Sequence, residues 1–464
     1  MRLAVIGAGV TGLVAARRAR ELGAEVTLFD ASQQAGGLAA GFLVPGVDNV
    51  WLEKFYHHIF RTDTHVVRLI EECGLSRDLM WRESRPGIFA RDRTFPLGGP
   101  IDLLKCKPVG TFLDRLKMGL SLRVFQKAED WRPFDRITCE EFFESRGALR
   151  AYRNLWEPLL QAKFGPAFAN IPAAFLWGRI YPRSRSREKG RESLGYLRGG
   201  FARMFVVLAQ RLEENGVALR LNTRVDRIER AAGGAFDLHF GGGKENFERI
   251  IWTAPPHHLA RVLDDPEPAL VEGAEKIKYI GACCLILLMD RPISDYYWVN
   301  NISPDLTFGG CIEHTNLVPP EEYGGRHIAY IINYLPADHP HMSLDVESLF
   351  RTHLPSLKRF APAFHEKQLT EKILFKSPVA SPLYDRGFAG RMPPFAGWSP
   401  GIGLLGMPQV YPLDRNMNHC IEVALRADME GFLADPLAHR DVAAVGQLRA
   451  DDVGQLPAGF HRET

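Results

Sequence analysis

Arg2-Leu3-Ala4-Val5-Ile6-Gly7-Ala8-Gly9-Val10-Thr11-Gly12 opens the chain, and its reading decides the fold. Residues 2–6 form a short apolar run of the kind buried within a parallel sheet. Gly7-x-Gly9-x-x-Gly12 follows, and residues 13–22 read as a helix with Ala15, Ala16 and Ala19 placed for close packing. Gly23 closes that helix, and residues 25–30 read as the next strand. The unit is therefore strand, turn, helix, strand. Its first glycine permits the tight turn, and its second lets backbone N–H groups approach a pyrophosphate. The third brings helix and sheet together, while the helix N-terminus supplies partial positive charge. Asp30 lies 18 residues after Gly12, where a carboxylate accepts both ribose hydroxyls and repels a ribose 2′-phosphate.

Around this unit the composition is that of an ordinary globular protein. At 464 residues the chain is too long for one hydrophobic core. Its 46% apolar and 24% charged residues exclude a disordered chain, a collagen-like fibre and a coiled coil. Lys and Arg total 57 against 55 Asp and Glu, a net charge of +2, so no nucleic-acid partner is expected. Seven scattered cysteines form no C-x-x-C pair, which predicts reduced thiols in a cytoplasmic protein and no metal site. The apolar run at residues 279–289 is far shorter than the ~20 residues that span a bilayer. The apolar start runs directly into the glycine turn, so it is not read as a signal peptide.

A second glycine pair identifies the dinucleotide. Residues 33–42 carry Gly36-Gly37-Leu38 just past the acidic strand end, and a backbone without side chains there can lie along an extended pyrophosphate. At this place the chain resembles the FAD-binding superfamily that contains monoamine oxidases, protoporphyrinogen oxidases, phytoene desaturases and UDP-galactopyranose mutases. Further segments follow in the order that superfamily uses. Residues 196–201 precede an amphipathic helix over 204–215, and Gly216 leads into the stretch 217–228 with Thr223-x-Val225-x-x-Ile228. Residues 250–255 are similar to a strand returning to the nucleotide domain, and residues 401–406, ending at Gly406, to a glycine-spaced apolar strand. Residues 412–418 then start a helix expected to run through Phe432.

The resemblance implies non-covalent FAD held by Gly7, Gly9, Gly12, Asp30, Gly36, Gly37, Leu38, Val225, Gly406, Asn416 and Met417. In it the backbone at Val225 meets adenine, and the last helix points its N-terminus at the flavin pyrimidine. The implied architecture is α/β: a discontinuous Rossmann-like FAD-binding domain with an α+β substrate domain, a mixed sheet flanked by helices. The first would comprise residues 1–85, 195–260 and 396–435, the second residues 86–194 and 261–395. Residues 436–464 would be a C-terminal tail. A hairpin is expected over 88–97 and a buried strand over 280–289, with mostly helical structure between 102 and 161, interrupted at Pro133 and Pro158.

For chemistry, the run 279–289 has no lysine where amine oxidases commonly place one, and so looks more like the protoporphyrinogen oxidase and desaturase side. Lys54-Phe55-Tyr56-His57-His58-Ile59-Phe60 is similar to a mutase segment whose histidine sits beside the flavin, and His58 matches that residue. His58 reads as a proton shuttle or hydrogen-bonder to the flavin ring, with a pKa usable near neutrality, or as a structural histidine. Glu313 reads as lining the substrate cavity or as anchoring a loop, and Tyr411 as a wall of the flavin pocket or as core packing. Residues 179–198 hold Arg179, Arg183, Arg185, Arg187, Lys189, Arg191 and Arg198 against Glu188 and Glu192. They read as a solvated surface loop, as a phosphate-binding cluster, or, with the apolar Phe164, Phe168, Phe175, Leu176 and Trp177 before them, as a peripheral membrane contact over 164–198. The expected activity is hydride removal from a hydrophobic, anionic-headed small molecule, of isoprenoid or tetrapyrrole type, to flavin N5. The alternatives are redox-neutral mutase chemistry on a nucleotide sugar and non-catalytic FAD binding.

Overall fold

Five parallel strands make the first sheet, in the spatial order Ala218–Arg220, Glu25–Phe29, Arg2–Ile6, Arg249–Trp252 and Ile402–Leu404. Parallel neighbours so far apart in sequence mean that one sheet is assembled from three stretches of chain. The computed structural model describes residues 1–188 and 191–434. The tail expected at 436–464, and Lys189 of the basic run, lie outside the described residues.

The first helix is Val10–Glu21, three residues longer at its start than the apolar spacing implied, because Leu13 N–H already donates to the Gly9 carbonyl at 3.0 Å. It packs its alanine face on the sheet. The stretch from Val217 onward supplies two strands: Ala218–Arg220 joins the parallel sheet, and Val225–Arg230 joins a three-stranded antiparallel sheet with Phe236–Phe240 and Gly243–Phe247. Asn222, at φ 54°, turns the chain between them.

The second large sheet is mixed and seven-stranded, in the order Leu369–Pro382, Tyr279–Met289, His327–Leu335, Gly310–Glu313, Trp298–Asn301, Pro86–Ala90 and Arg93–Pro96. One pair in it, Trp298–Asn301 on Pro86–Ala90, is parallel. The unbroken apolar run of Tyr279–Met289 has a physical cause. Cys284, Ile286 and Leu288 enter one core, while Cys283, Leu285, Leu287 and Met289 enter another, so neither face meets water. The expected hairpin is formed by Pro86–Ala90 and Arg93–Pro96, with Arg91 and Asp92 both at positive φ in its turn.

Between these sheets residues 100–185 build a helical unit around Phe125, Phe142, Phe143, Tyr152 and Phe175. Pro158 does not interrupt it. Leu149–Phe164 runs through that proline, because Leu155 and Leu160 on either side are held in the core. Pro133 sits in the first turn of Arg132–Asp135, where a missing N–H costs nothing. No helix among the described residues is long and apolar enough to cross a membrane.

Candidate active site

The two glycine turns lie back to back. Gly36 N–H donates to the Ala8 carbonyl at 2.8 Å, and Gly9 and Gly36 form a parallel bridge. A Cβ on Gly37 would stand 3.1 Å from Gly9 Cα, and one on Gly36, at φ 118°, 2.7 Å from the Phe205 ring. One on Gly9 would meet only Gly37 Cα, at 3.9 Å, so the space in front of the helix N-terminus is open. Gly12 closes the other side: its Cβ would stand 1.8 Å from the Gly7 carbonyl oxygen. Asp30 braces the turn, its Oδ2 accepting Ala8 N–H at 2.6 Å and its Oδ1 accepting Ser32 N–H at 2.7 Å. Leu38 lies half-buried in the short turn Gly37–Ala39.

The C-terminal pieces reach the same edge of the sheet. Thr253 Oγ1 donates to the Ile6 carbonyl at 2.9 Å, and Gly406 sits against the Thr253 carbonyl, 3.5 Å from a Cβ position. Val225 is buried in the core with Ile6 and Phe29. The last helix is Met417–Arg426, begun by Asn416, whose Oδ1 accepts His419 N–H at 2.9 Å. It does not start at 412, nor does it run unbroken through Phe432, since Ala427 adopts extended backbone before Met429–Ala434. Thr11 bonds Cys420, and the Arg18 guanidinium donates to the carbonyls of Ala424, Leu425 and Ala427 at 2.8, 2.8 and 3.0 Å. Both contacts advance in the same direction along the two chains, so the glycine helix and Met417–Arg426 run parallel, with both N-termini at the glycine-turn end.

Three residues expected to do chemistry are placed differently. Glu313 is fully buried, its Oε2 accepting Ile293 N–H at 2.9 Å and its Oε1 accepting the Thr315 hydroxyl at 2.7 Å. It anchors the 293–297 segment and has no surface for a substrate. Tyr411 donates to Asp135 Oδ1 at 2.5 Å and packs among Trp131, Tyr384 and Phe388, so it belongs to the helical core. His58 lies in an aromatic setting of Phe60, Tyr297 and Trp298, with Nδ1 3.1 Å from the Tyr297 hydroxyl. Burial, aided by the Arg183 charge, pushes its pKa down to about 3. It is a neutral hydrogen-bonding ring and does not titrate near neutrality.

What the fold does bring together is a knot of cations. Arg179 Nη2 donates to Asp414 Oδ1 at 2.8 Å, with the two side chains 13% and 31% exposed. Lys163 lies 4.9 Å from the Tyr334 ring and 5.6 Å from the Phe175 ring. Arg415 donates to the Tyr334 hydroxyl at 3.3 Å, and that hydroxyl lies 2.8 Å from the Tyr56 hydroxyl. Burial alone would raise the Asp414 pKa, yet Arg179, Lys163, Arg183 and Arg415 together hold it well below the carboxylate range. Burial and then the Arg179 charge push the Lys163 ammonium well below the usual lysine value. One carboxylate thus faces three arginines and a lysine whose charge is disfavoured, immediately before the helix Met417–Arg426. Trp298, edge-on to Tyr56 at 4.6 Å, walls this region.

The basic run 179–198 is not one patch. Arg185 stacks on Tyr181, Arg187 donates to the Gly98 carbonyl, Arg191 pairs with Glu83 and Arg198 with Glu322. Of its apolar neighbours, Phe164, Phe175, Leu176 and Trp177 are buried in the helical core and Phe168 is half-buried against it, which leaves them little surface for the membrane contact expected there.

Residues 10–381 match the family described as flavin containing amine oxidoreductase. The chain belongs to that family. Its sequence is 23% identical over 334 residues to a 15-cis-phytoene desaturase of Solanum lycopersicum, covering 64% of this chain and 54% of the relative. The chain spans about half the length of several of the desaturases it matches. Among solved structures it is similar to a protein described as a protoporphyrinogen oxidase from Exiguobacterium sp. 255-15, with TM-score 0.73 and 19% identity over 91% of this chain and 96% of that one. A reduced UDP-galactopyranose mutase gives TM-score 0.71 and 14% identity over 96% and 97%. At those identities the structures speak for the fold alone.

The cofactor of this amine oxidoreductase-family chain is FAD. The residues present fit it. A pyrophosphate would meet the helix N-terminus in the open space in front of Gly9, and Asp30, held at the end of the second strand, would accept a ribose. Arg179 and Arg183 carried a sequence signal, being four apart and so on one helix face. Lys163, Tyr334 and Arg415 carried none, since each comes from a different element.

Proposed function

We propose that this chain is an FAD-dependent oxidoreductase that takes hydride from a hydrophobic small molecule bearing an anionic group. The observation that carries the reading is the excess of basic side chains over carboxylate where Arg179, Arg183, Arg415 and the buried amine of Lys163 gather around Asp414, walled by Tyr56, Trp298 and Tyr334. Bound FAD supplies the hydride-accepting N5. The protein holds the pyrophosphate at Gly9, Gly36 and Gly37 and the ribose at Asp30, and it excludes water through the aromatic walls. Asn416 and Met417 present the N-terminus of the last helix, a partial positive charge suited to a ring that becomes anionic on reduction. Arginine forks among the cations give an anionic head group a fixed orientation. His58, neutral, offers a hydrogen bond and no proton charge.

Isoprenoid and tetrapyrrole acids are the substrate classes this arrangement suits. The test is anaerobic mixing of the FAD-loaded protein with anionic polyprenyl and porphyrinogen compounds beside their neutral esters or alcohols. Bleaching of the flavin by the anionic members and not the neutral ones is the expected result. A second reading, redox-neutral chemistry on a nucleotide sugar, draws on the same cations as a diphosphate site beside His58. It predicts no bleaching, and isomerisation of the sugar only after chemical reduction of the flavin.

A further inference from the structure

Nine large hydrophobic side chains are exposed among the described residues, and five of them fall between residues 101 and 120. Ile101 is 67% exposed, Phe112 62%, Leu113 57%, Leu116 39% and Leu120 57%. Four lie on the helix Phe112–Lys127, where Phe112, Leu116 and Leu120 are one turn apart and Leu113 is beside them. The opposite face of the helix is spoken for, since Met118, Ser121 and Phe125 are buried against the helical core. Thr111 caps its start in a capping box with Asp114, so the apolar end is a firmly built helix and not a frayed segment.

The charge around this face is one-sided. Residues 100–127 contain six basic side chains and two acidic ones. Both acids are engaged, Asp102 with Gly98 N–H and Asp114 with the Thr111 cap. Lys105, Lys107, Arg123 and Lys127 are exposed, and Lys117 is half-exposed. None of the five forms an ion pair among the described residues, whereas Arg191, Arg351 and Arg386 on other surfaces are all paired. Arg123 and Lys127 extend the outward stripe one and two turns beyond Leu120.

We propose that the helices Pro100–Lys105 and Phe112–Lys127 dock the protein on an anionic lipid surface, with Phe112, Leu113, Leu116 and Leu120 entering the boundary between head groups and acyl chains. An apolar tip ringed by unpaired basic side chains is the pattern that such an interface selects. A second copy of the chain fits the face poorly, because it would bring two unneutralised basic rims together. The docking face communicates with the cation knot through one element. Ala173–Arg185 receives the docking helix through Trp177 Nε1, which donates to the Ala128 carbonyl at 2.8 Å, and carries Arg179 to Asp414. The proposal stands on surface residues only, so it survives or fails independently of the substrate reading.

The test is flotation of the FAD-loaded full chain with vesicles. One set is pure phosphatidylcholine and the other contains about one-third phosphatidylglycerol. Binding to the anionic set is expected, weaker by about tenfold on the neutral set and in about 0.5 M salt. The triple variant Phe112→Ser, Leu116→Ser, Leu120→Ser should lose about tenfold or more in binding while keeping its flavin absorbance. The variant Lys117→Gln, Arg123→Gln should lose the preference for anionic lipid and leave folding untouched. Failure to float with anionic vesicles overturns the proposal, as does unchanged binding of the triple variant. A lipid-free dimer in sedimentation velocity that the triple variant splits also overturns it, in favour of self-association.

Discussion

Replacing Gly12 by alanine tests the part of the fold on which the cofactor site rests. The added methyl would stand 1.8 Å from the Gly7 carbonyl oxygen and 3.0 Å from the Gly7 carbonyl carbon, where ordinary contact begins at 3.4 Å. Both partners are backbone, so no rotamer change relieves the overlap, and helix and turn must part by about 1.5 Å. That movement lifts Leu13, Val14 and Ala16 of Val10–Glu21 from the sheet. Overpacking of this kind costs about 3 kcal/mol, roughly a hundredfold in the folding equilibrium. The same shift withdraws the helix N-terminus from the pyrophosphate and weakens FAD binding by at least about tenfold. Gly23→Ala is the control: at φ 88° it carries about 1 kcal/mol of left-handed strain, yet its Cβ meets nothing within 4 Å and lies at the far end of the helix. Flavin-to-protein absorbance after dialysis, together with urea midpoints of the apoproteins, reads both effects. A Gly12→Ala protein that retains wild-type flavin and unfolds no earlier than Gly23→Ala would refute the close-approach argument.

Asp30→Ala should lower FAD affinity by about tenfold in a calorimetric titration, because both backbone N–H groups it accepts at the turn, from Ala8 and Ser32, lose their partner. Asp414→Asn removes the carboxylate facing Arg179, Arg183, Arg415 and the buried amine of Lys163, and apoprotein stability should fall by about 2 kcal/mol at low salt. Added phosphate should restore much of that loss; equal melting temperatures with and without phosphate count against anion binding at the knot. Glu53 is buried, accepts Tyr196 O–H and Phe201 N–H at 2.7 Å each, and is pushed up to about 7, chiefly by burial. Folded Glu53 therefore keeps a proton that the unfolded chain releases near 4.5, and its contribution to stability falls as pH rises from about 4.5 to 7, by about 3 kcal/mol in all. The difference between wild type and Glu53→Gln in urea midpoint should shrink along that interval and stay level above it, and a pH-independent difference would contradict the assignment. Neutral His57, His58 and His314, held at about 4, 3 and 3, act in the opposite direction, each withdrawing its contribution to stability as pH falls below 6.5. Correspondingly, a pH–rate profile should contain no step near 6.5 that His58→Asn abolishes.

The sequence by itself determined the nucleotide half of this protein. Strand, glycine turn, helix and acidic strand end are consecutive, so local spacing carries the whole constraint: Gly12 must be small because of Gly7, five residues away. The buried strand at 280–289 and the hairpin over 88–97 were legible for the same reason, each being written in adjacent residues. Tertiary structure alone decided which polar residues face the site. Glu313, Tyr411 and His58 have side chains suited to catalysis, but reactivity depends on what surrounds a group, and burial turned them into a loop anchor, a core phenol and a neutral ring. Lys163, Arg179, Tyr334 and Arg415 meet only because a helical unit, a mixed sheet and the approach to the last helix converge. Their charge balance is a property of that convergence, set by distances through space that no spacing along the chain encodes.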